Sequence, residues 1–175
     1  MRTTTTLIAA AVALLPAMTQ AQSAGVVPVP AAVRALQGCW QGDGVVLGKP
    51  VTIALRAAPL LLDSMVVIDA DSAAKADATD RYQAHLLFGG TDAGPGGRGK
   101  AISSFWADSF GGSFTATGTG DARDDGFEVD YRYPDASFVN RWRLQEGKLS
   151  WTIVSKSAAG EKPFARYDLK PAPCT

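Results

Sequence analysis

The chain has 175 residues, in which 17 Lys and Arg balance 17 Asp and Glu, with one histidine and two cysteines. That balance leaves no basic footprint for nucleic acid or an acidic membrane face, and two cysteines with one distant histidine do not make a zinc site. The length suits one domain able to bury its own core.

Arg2, an apolar stretch over 7–18 broken by Pro16, and the small-x-small run Thr19-Gln20-Ala21 read as a secretory signal peptide over 1–21. The apolar core is about a dozen residues, where a membrane span needs about twenty. Once the leader is cleaved, no integral membrane segment is expected, and a periplasmic or secreted location follows. In such an oxidising compartment Cys39 and Cys174 are expected to pair.

Residues 22–30 are small, apolar and proline-containing, which suits an extended lead-in with no packed structure, and 31–36 predict one helical turn after Pro30. Together, 22–37 form a lead-in to a single domain over 38–175. Candidate strands follow at 39–47, 51–57, 61–68, 82–88, 100–107 and 113–119. Residues 72–80, rich in alanine and aspartate, read as a helix or an exposed loop.

Period-two alternation is clearest in the second half. Phe127, Val129, Tyr131 and Tyr133 share one face; Phe138, Asn140, Trp142 and Leu144 oppose Val139, Arg141 and Arg143; Leu149, Trp151 and Ile153 oppose Ser150, Thr152 and Val154. Turn signals at Pro134-Asp135, Glu146-Gly147 and Ala159-Gly160 separate these runs, and a strand over 164–169 ends the series. About ten strands at such spacing indicate an all-β antiparallel sandwich or barrel.

Gly38-x-Trp40-x-Gly42-x-Gly44, preceded by a short helical turn, resembles the opening motif of the calycin superfamily, which includes lipocalins and fatty-acid-binding proteins. Its glycine spacing looks most like the nitrobindin branch. The resemblance implies a single antiparallel barrel of about ten strands, with Trp40 plugging one end and Gly38, Gly42 and Gly44 allowing close backbone approach or a bend. It also implies a basic residue of the last strand packed over the tryptophan, a role for which Arg166 is placed. Barrel closure sets the first and last strands side by side, consistent with a Cys39–Cys174 staple. Nitrobindin-like proteins hold haem through a late histidine; none occurs over 148–175, so haem is not carried over and no cofactor or metal is expected.

Other motifs carry less chemistry. The 94–101 run matches a phosphate-binding pattern, but Ala101 stands where a Ser or Thr is needed and the following residues alternate as a strand. His85 opposes the apolar run Tyr82, Ala84, Leu86 and Phe88, which suits a polar face. Asp121, Asp124, Asp125, Glu128 and Asp130 read as a solvated hairpin.

No catalytic constellation stands out. The expected function is non-catalytic binding of a small apolar or amphipathic molecule inside the barrel, with Trp106, Tyr131, Trp142 and Trp151 lining the site and Arg132, Arg141 or Arg143 meeting a head group. A barrel enzyme of isomerase or cyclase type, and a secreted interaction protein or inhibitor using the 89–99 loop, are the alternatives.

Overall fold

A computed structural model of the chain describes residues 27–91 and 100–174. The leader over 1–21 and most of the glycine-rich loop lie outside the described residues. Helix α1 (Ala31–Arg34) is followed by strands β1 (Gly38–Val46), β2 (Lys49–Leu60), β3 (Met65–Ala74), β4 (Asp77–Gly90), β5 (Ala101–Asp108), β6 (Ala116–Arg123), β7 (Gly126–Arg132), β8 (Ser137–Gln145), β9 (Lys148–Ser157) and β10 (Gly160–Ala172). Each strand pairs antiparallel with the next, and β10 pairs with β1, giving a closed ten-stranded barrel. Among the described residues no helix is long and apolar enough to cross a membrane.

Alternation places one face of every strand inside. Trp40, Ile53, Leu55, Ile68, Leu86, Phe88, Ile102, Phe127, Val129, Trp142, Trp151 and Tyr167 form one continuous core. Residues 72–80 are neither helix nor long loop: β3 runs through Ala74, and β4 begins at Asp77 after a tight turn. Ser72 and Ala74 are buried there, so pairing with β2 and β4 overrides the helical preference of alanine.

The glycines of the first strand act through space. A Cβ on Gly42 would lie 2.0 Å from the Asp168 carbonyl oxygen, and one on Gly44 would lie 2.3 Å from the Tyr167 ring. Gly44 therefore makes room for an inward aromatic of β10. At the lower end, where β1 begins, the Trp40 indole N–H donates to the Leu36 carbonyl at 2.8 Å.

The described part of the lead-in, from residue 27, departs from expectation, because it is packed. Val29, Val33 and Leu36 are 1%, 0% and 2% exposed, and α1 lies against β6 and β7, so this segment stops the lower end of the barrel. Its apolar composition reflects that burial. Beside the stopper, Cys39 and Cys174 form a disulfide with Cα atoms 5.2 Å apart across a sequence separation of 135.

The β2–β3 turn at the same end is unusual. Leu61, Leu62 and Asp63 all have positive φ, at 52°, 56° and 62°, and Leu62 is 93% exposed. Left-handed backbone costs an L-residue roughly 1–2 kcal/mol, and asparagine tolerates it better than leucine. Leu62→Asn is accordingly expected to raise stability by up to about 1 kcal/mol. A rise in the urea midpoint at unchanged m-value is the readout; a fall would mean that Leu62 makes a stabilising contact.

Candidate functional site

Interior packing decides where a ligand has room. Leu86, Phe88, Phe127, Val129 and Trp142 are 0% exposed, and Tyr131, Leu149 and Trp151 are 1% exposed. Solvent scarcely reaches these side chains. They form an aromatic stack instead: Phe127 on Trp142 at 5.7 Å, Trp142 on Trp151 at 4.3 Å, and Trp151 against Tyr167 at 4.9 Å. Trp106 reaches the stack from β5, with Tyr131 and Trp151 ring centroids at 5.3 and 6.0 Å. Trp106, Tyr131, Trp142 and Trp151 thus all face inward and touch one another as core.

The arginines expected to meet a head group face outward. Arg141 pairs with Glu128 at 2.9 Å and Glu161 at 3.1 Å, Arg143 with Asp125 at 3.1 Å, and Arg132 with Asp130 at 3.8 Å. The reason is parity: residues adjacent to an inward Trp142 or Tyr131 must point out, and a guanidinium is cheaper to keep there beside an acid than to bury. The acids of the 121–130 hairpin are largely accounted for by these partners.

Arg166 is corrected in the same way. It lies between inward Ala165 and Tyr167, opposite Val45, and pairs with Asp168 at 3.2 Å on the outer face. Trp40 lies opposite Pro171, so no cation covers its ring from that strand.

His85 also points outward, its Nδ1 2.6 Å from Asp69 Oδ1. It is the chain's sole histidine, so the interior offers no histidine to a haem iron, and the inward positions of β9 and β10 are Leu149, Trp151, Ile153, Ala165, Tyr167 and Leu169. Among the described residues no group of three His, Cys, Asp or Glu side chains is arranged to hold a metal ion. Of the phosphate-like run, the described part begins β5 at Ala101, a strand where a helix N-terminus would be needed. An open groove of about 710 Å³ crosses the outer faces of β1 to β5 past Arg56, Asp69, Gln83 and His85. Its lining mixes apolar and polar residues and includes Asp108 at the end of β5, and its Asp69 and Asp71 are already paired, with His85 and Arg81.

The upper end, where β1 ends, is different. A chain of aromatic contacts runs over it: Tyr82 to Phe110 at 5.5 Å, Phe110 to Phe114 at 5.9 Å, Tyr133 to Phe138 at 5.6 Å, and Phe138 to Phe164 at 5.1 Å. The Tyr133 hydroxyl donates to the Phe114 carbonyl at 2.9 Å, joining the two halves, and the Leu47 N–H donates to the Phe164 carbonyl at 2.8 Å. Phe164 occupies an irregularity in the β9–β10 pairing, which lets it reach Phe138 across β9. Leu47, Phe110 and Phe114 are 73%, 69% and 51% exposed.

Beneath this arc Asp108 ends β5 on the inward side. The Tyr82 hydroxyl and the Trp106 indole N–H both donate to its Oδ2, at 3.1 and 3.0 Å, and the Phe110 N–H donates to its Oδ1 at 3.0 Å. Deeper in, Ser104 and Tyr131 hydroxyls lie 2.5 Å apart, Ser104 donates to the Leu87 carbonyl at 2.8 Å, and Trp151 donates to Asn140 Oδ1 at 2.9 Å.

With the geometry in place, comparison with known proteins adds the fold. No known family profile matches the chain, and no curated protein matches it. Among solved structures it is similar to the crystal structure of Rv2717c from M. tuberculosis, with TM-score 0.63 and 14% identity over 82% of this chain and 99% of that one. The two share the barrel fold.

Burial raises the tyrosine pKa values. Tyr167 is pushed up to about 12, Tyr131 and Tyr82 higher still, and the Asp108 carboxylate adds to the effect of burial on Tyr82 and Tyr133. These hydroxyls are proton donors at neutral pH. A folded-state pKa above the unfolded value means that the folded protein holds its proton longer, so the stabilisation is complete below about pH 10 and is lost as pH rises above it. Each of the more deeply buried Tyr82, Tyr131 and Tyr167 lowers stability by up to about 1.4 kcal/mol per pH unit there. In an alkaline titration, tyrosinate absorbance is expected to rise together with loss of the near-UV circular dichroism. A simple independent titration near pH 10 with the fold intact would contradict the burial.

Asp108, Tyr82 and Tyr133 were not singled out as site residues by sequence. A usable signal existed: Trp106 and Asp108 share a strand face, as do Tyr82, Ala84, Leu86 and Phe88. An acid ending an otherwise apolar inward face marks a barrel rim.

Proposed function

We propose that this protein is an exported, non-catalytic binding barrel of calycin type, nearest in its opening motif to the nitrobindin branch, that takes a small apolar or amphipathic molecule at its upper end. The observation carrying this reading is the contiguous arc from Tyr82 through Phe110, Phe114, Tyr133 and Phe138 to Phe164, with Phe110 and Phe114 exposed, at one end of a barrel whose other end is stopped. Exposed aromatic surface that packs on itself around polar groups is typical of a ligand-contact surface. The leader sequence and the disulfide support export to an oxidising compartment. A lone carboxylate hydrogen-bonded to one tyrosine that stays protonated, an indole N–H and a backbone N–H lacks the paired groups that acid–base catalysis uses.

Native mass spectrometry of protein purified from its own periplasm tests the reading. A small-molecule adduct is expected, and Phe110→Ser with Phe114→Ser should remove it while the barrel stays folded, since both side chains are exposed. An adduct that survives the double substitution would put the ligand elsewhere.

One observation favours a second reading, that of an interaction protein. Leu60, Leu61 and Leu62 are 38%, 63% and 93% exposed at the opposite end, on a turn that leucine does not favour. Under that reading, Leu62→Asn would abolish partner binding even as it stabilises the barrel.

A further inference from the structure

Five described acids are partly buried: Asp71, Asp108, Asp125, Glu128 and Asp130. Four of them have a cationic partner within 4.0 Å, namely Arg81, Arg143, Arg141 and Arg132. Asp108 has none among the described residues. The acids without a cation elsewhere, Asp63, Asp77, Asp121, Asp135 and Glu146, are all exposed, so water solvates them.

A carboxylate partly withdrawn from water and left without a counter-ion is electrostatically incomplete. Its neutral hydrogen bonds offset only part of that cost. Two of the three go to Oδ2, and a carboxylate has about four acceptor positions in all, so Oδ1, engaged only by the Phe110 N–H, retains one. The groups around it are Tyr82, Trp106 and Phe110, with Tyr133 and Phe114 beyond. Aromatic faces carry negative quadrupole density and attract cations, more strongly once water is excluded. Both features select the same ligand charge.

We infer that the upper-end site takes a small organic cation, an ammonium or amidinium-type head on an apolar body, with the head against Asp108 Oδ1 and the body along the Phe110, Phe114 and Tyr133 arc. This rests on the proposal that the upper end binds ligand, and it adds the charge. The head group therefore carries the opposite charge to the one that an inward Arg132, Arg141 or Arg143 would have met. An anionic head would meet Asp108 with no compensating cation and is disfavoured by the same geometry.

The test uses one apolar body with three heads: octylammonium, octanol and octanoate, titrated calorimetrically into the full-length, disulfide-intact protein at neutral pH. Octylammonium is expected to bind at least about tenfold more tightly than octanol, the scale of one hydrogen bond to a charged group, with octanoate weakest. Asp108→Asn keeps an acceptor for the Phe110 N–H and is expected to abolish the preference for octylammonium over octanol. The wild-type ranking stands as a test even if that variant does not fold. Octanol or octanoate equalling octylammonium, or a cation preference that survives in folded Asp108→Asn, overturns the cation inference while the binding reading stands. Binding of none of the three, with no adduct in native mass spectrometry, overturns both.

Discussion

Replacing Cys39 with serine is expected to lower the unfolding free energy by about 5 kcal/mol under oxidising conditions, because the disulfide closes a loop of 135 residues. In the chain-entropy account the cross-link acts on the unfolded ensemble, which loses freedom in proportion to the logarithm of the loop length. Few links in a chain of this size close a longer loop. The folded state has little strain to relieve in return, since β1 and β10 are already held in register from Cys39 opposite Ala172 to Val46 opposite Ala165. For a domain of this size the loss corresponds to roughly 10–20 °C in melting temperature. Thermal and urea unfolding of Cys39→Ser, compared with wild type with and without reductant, measures it; an unchanged midpoint would refute the staple.

Trp142 supplies the second large effect, and its two substitutions should separate. Trp142→Ala is expected to cost about 3–5 kcal/mol, since it leaves a void in the middle of the Phe127–Trp142–Trp151–Tyr167 stack that the surrounding strands cannot close. Trp142→Phe should cost far less than the volume lost would suggest. The Trp142 indole N–H is buried with no hydrogen-bond partner, and removing such an orphaned donor recovers about 1–3 kcal/mol. Trp151→Phe is the control, because it breaks a 2.9 Å hydrogen bond and strands the Asn140 carbonyl oxygen in the core. Urea unfolding of the three variants should rank them Trp142→Phe most stable. A Trp142→Phe variant as unstable as Trp151→Phe would show that the indole N–H has a partner.

Strand existence was legible because alternation is a local property. Phe127, Val129, Tyr131 and Tyr133 do lie on one inward face, and Trp40 with its glycines does mark a first strand that approaches β10 closely. The same rule contained a warning about the site. Arg141 and Arg143 flank Trp142 in sequence, so no single register could turn all three inward, and the structure resolves this in favour of the tryptophan. The packing of the lead-in is illegible in the sequence for another reason. Val29 and Val33 look like linker residues until the open end of a barrel exists for them to fill.

Strand periodicity, the turns, the near-neutral charge and the presence of two cysteines able to pair are all local or compositional properties, and so were legible without the fold. Only the closed barrel decided which face is inside, that aromatic side chains fill the middle of the barrel, and that Asp108, Tyr82 and Phe110 meet at one end. Those contacts join residues on different strands and connections. Their proximity depends on register summed around the whole barrel, a quantity that no local stretch of sequence contains.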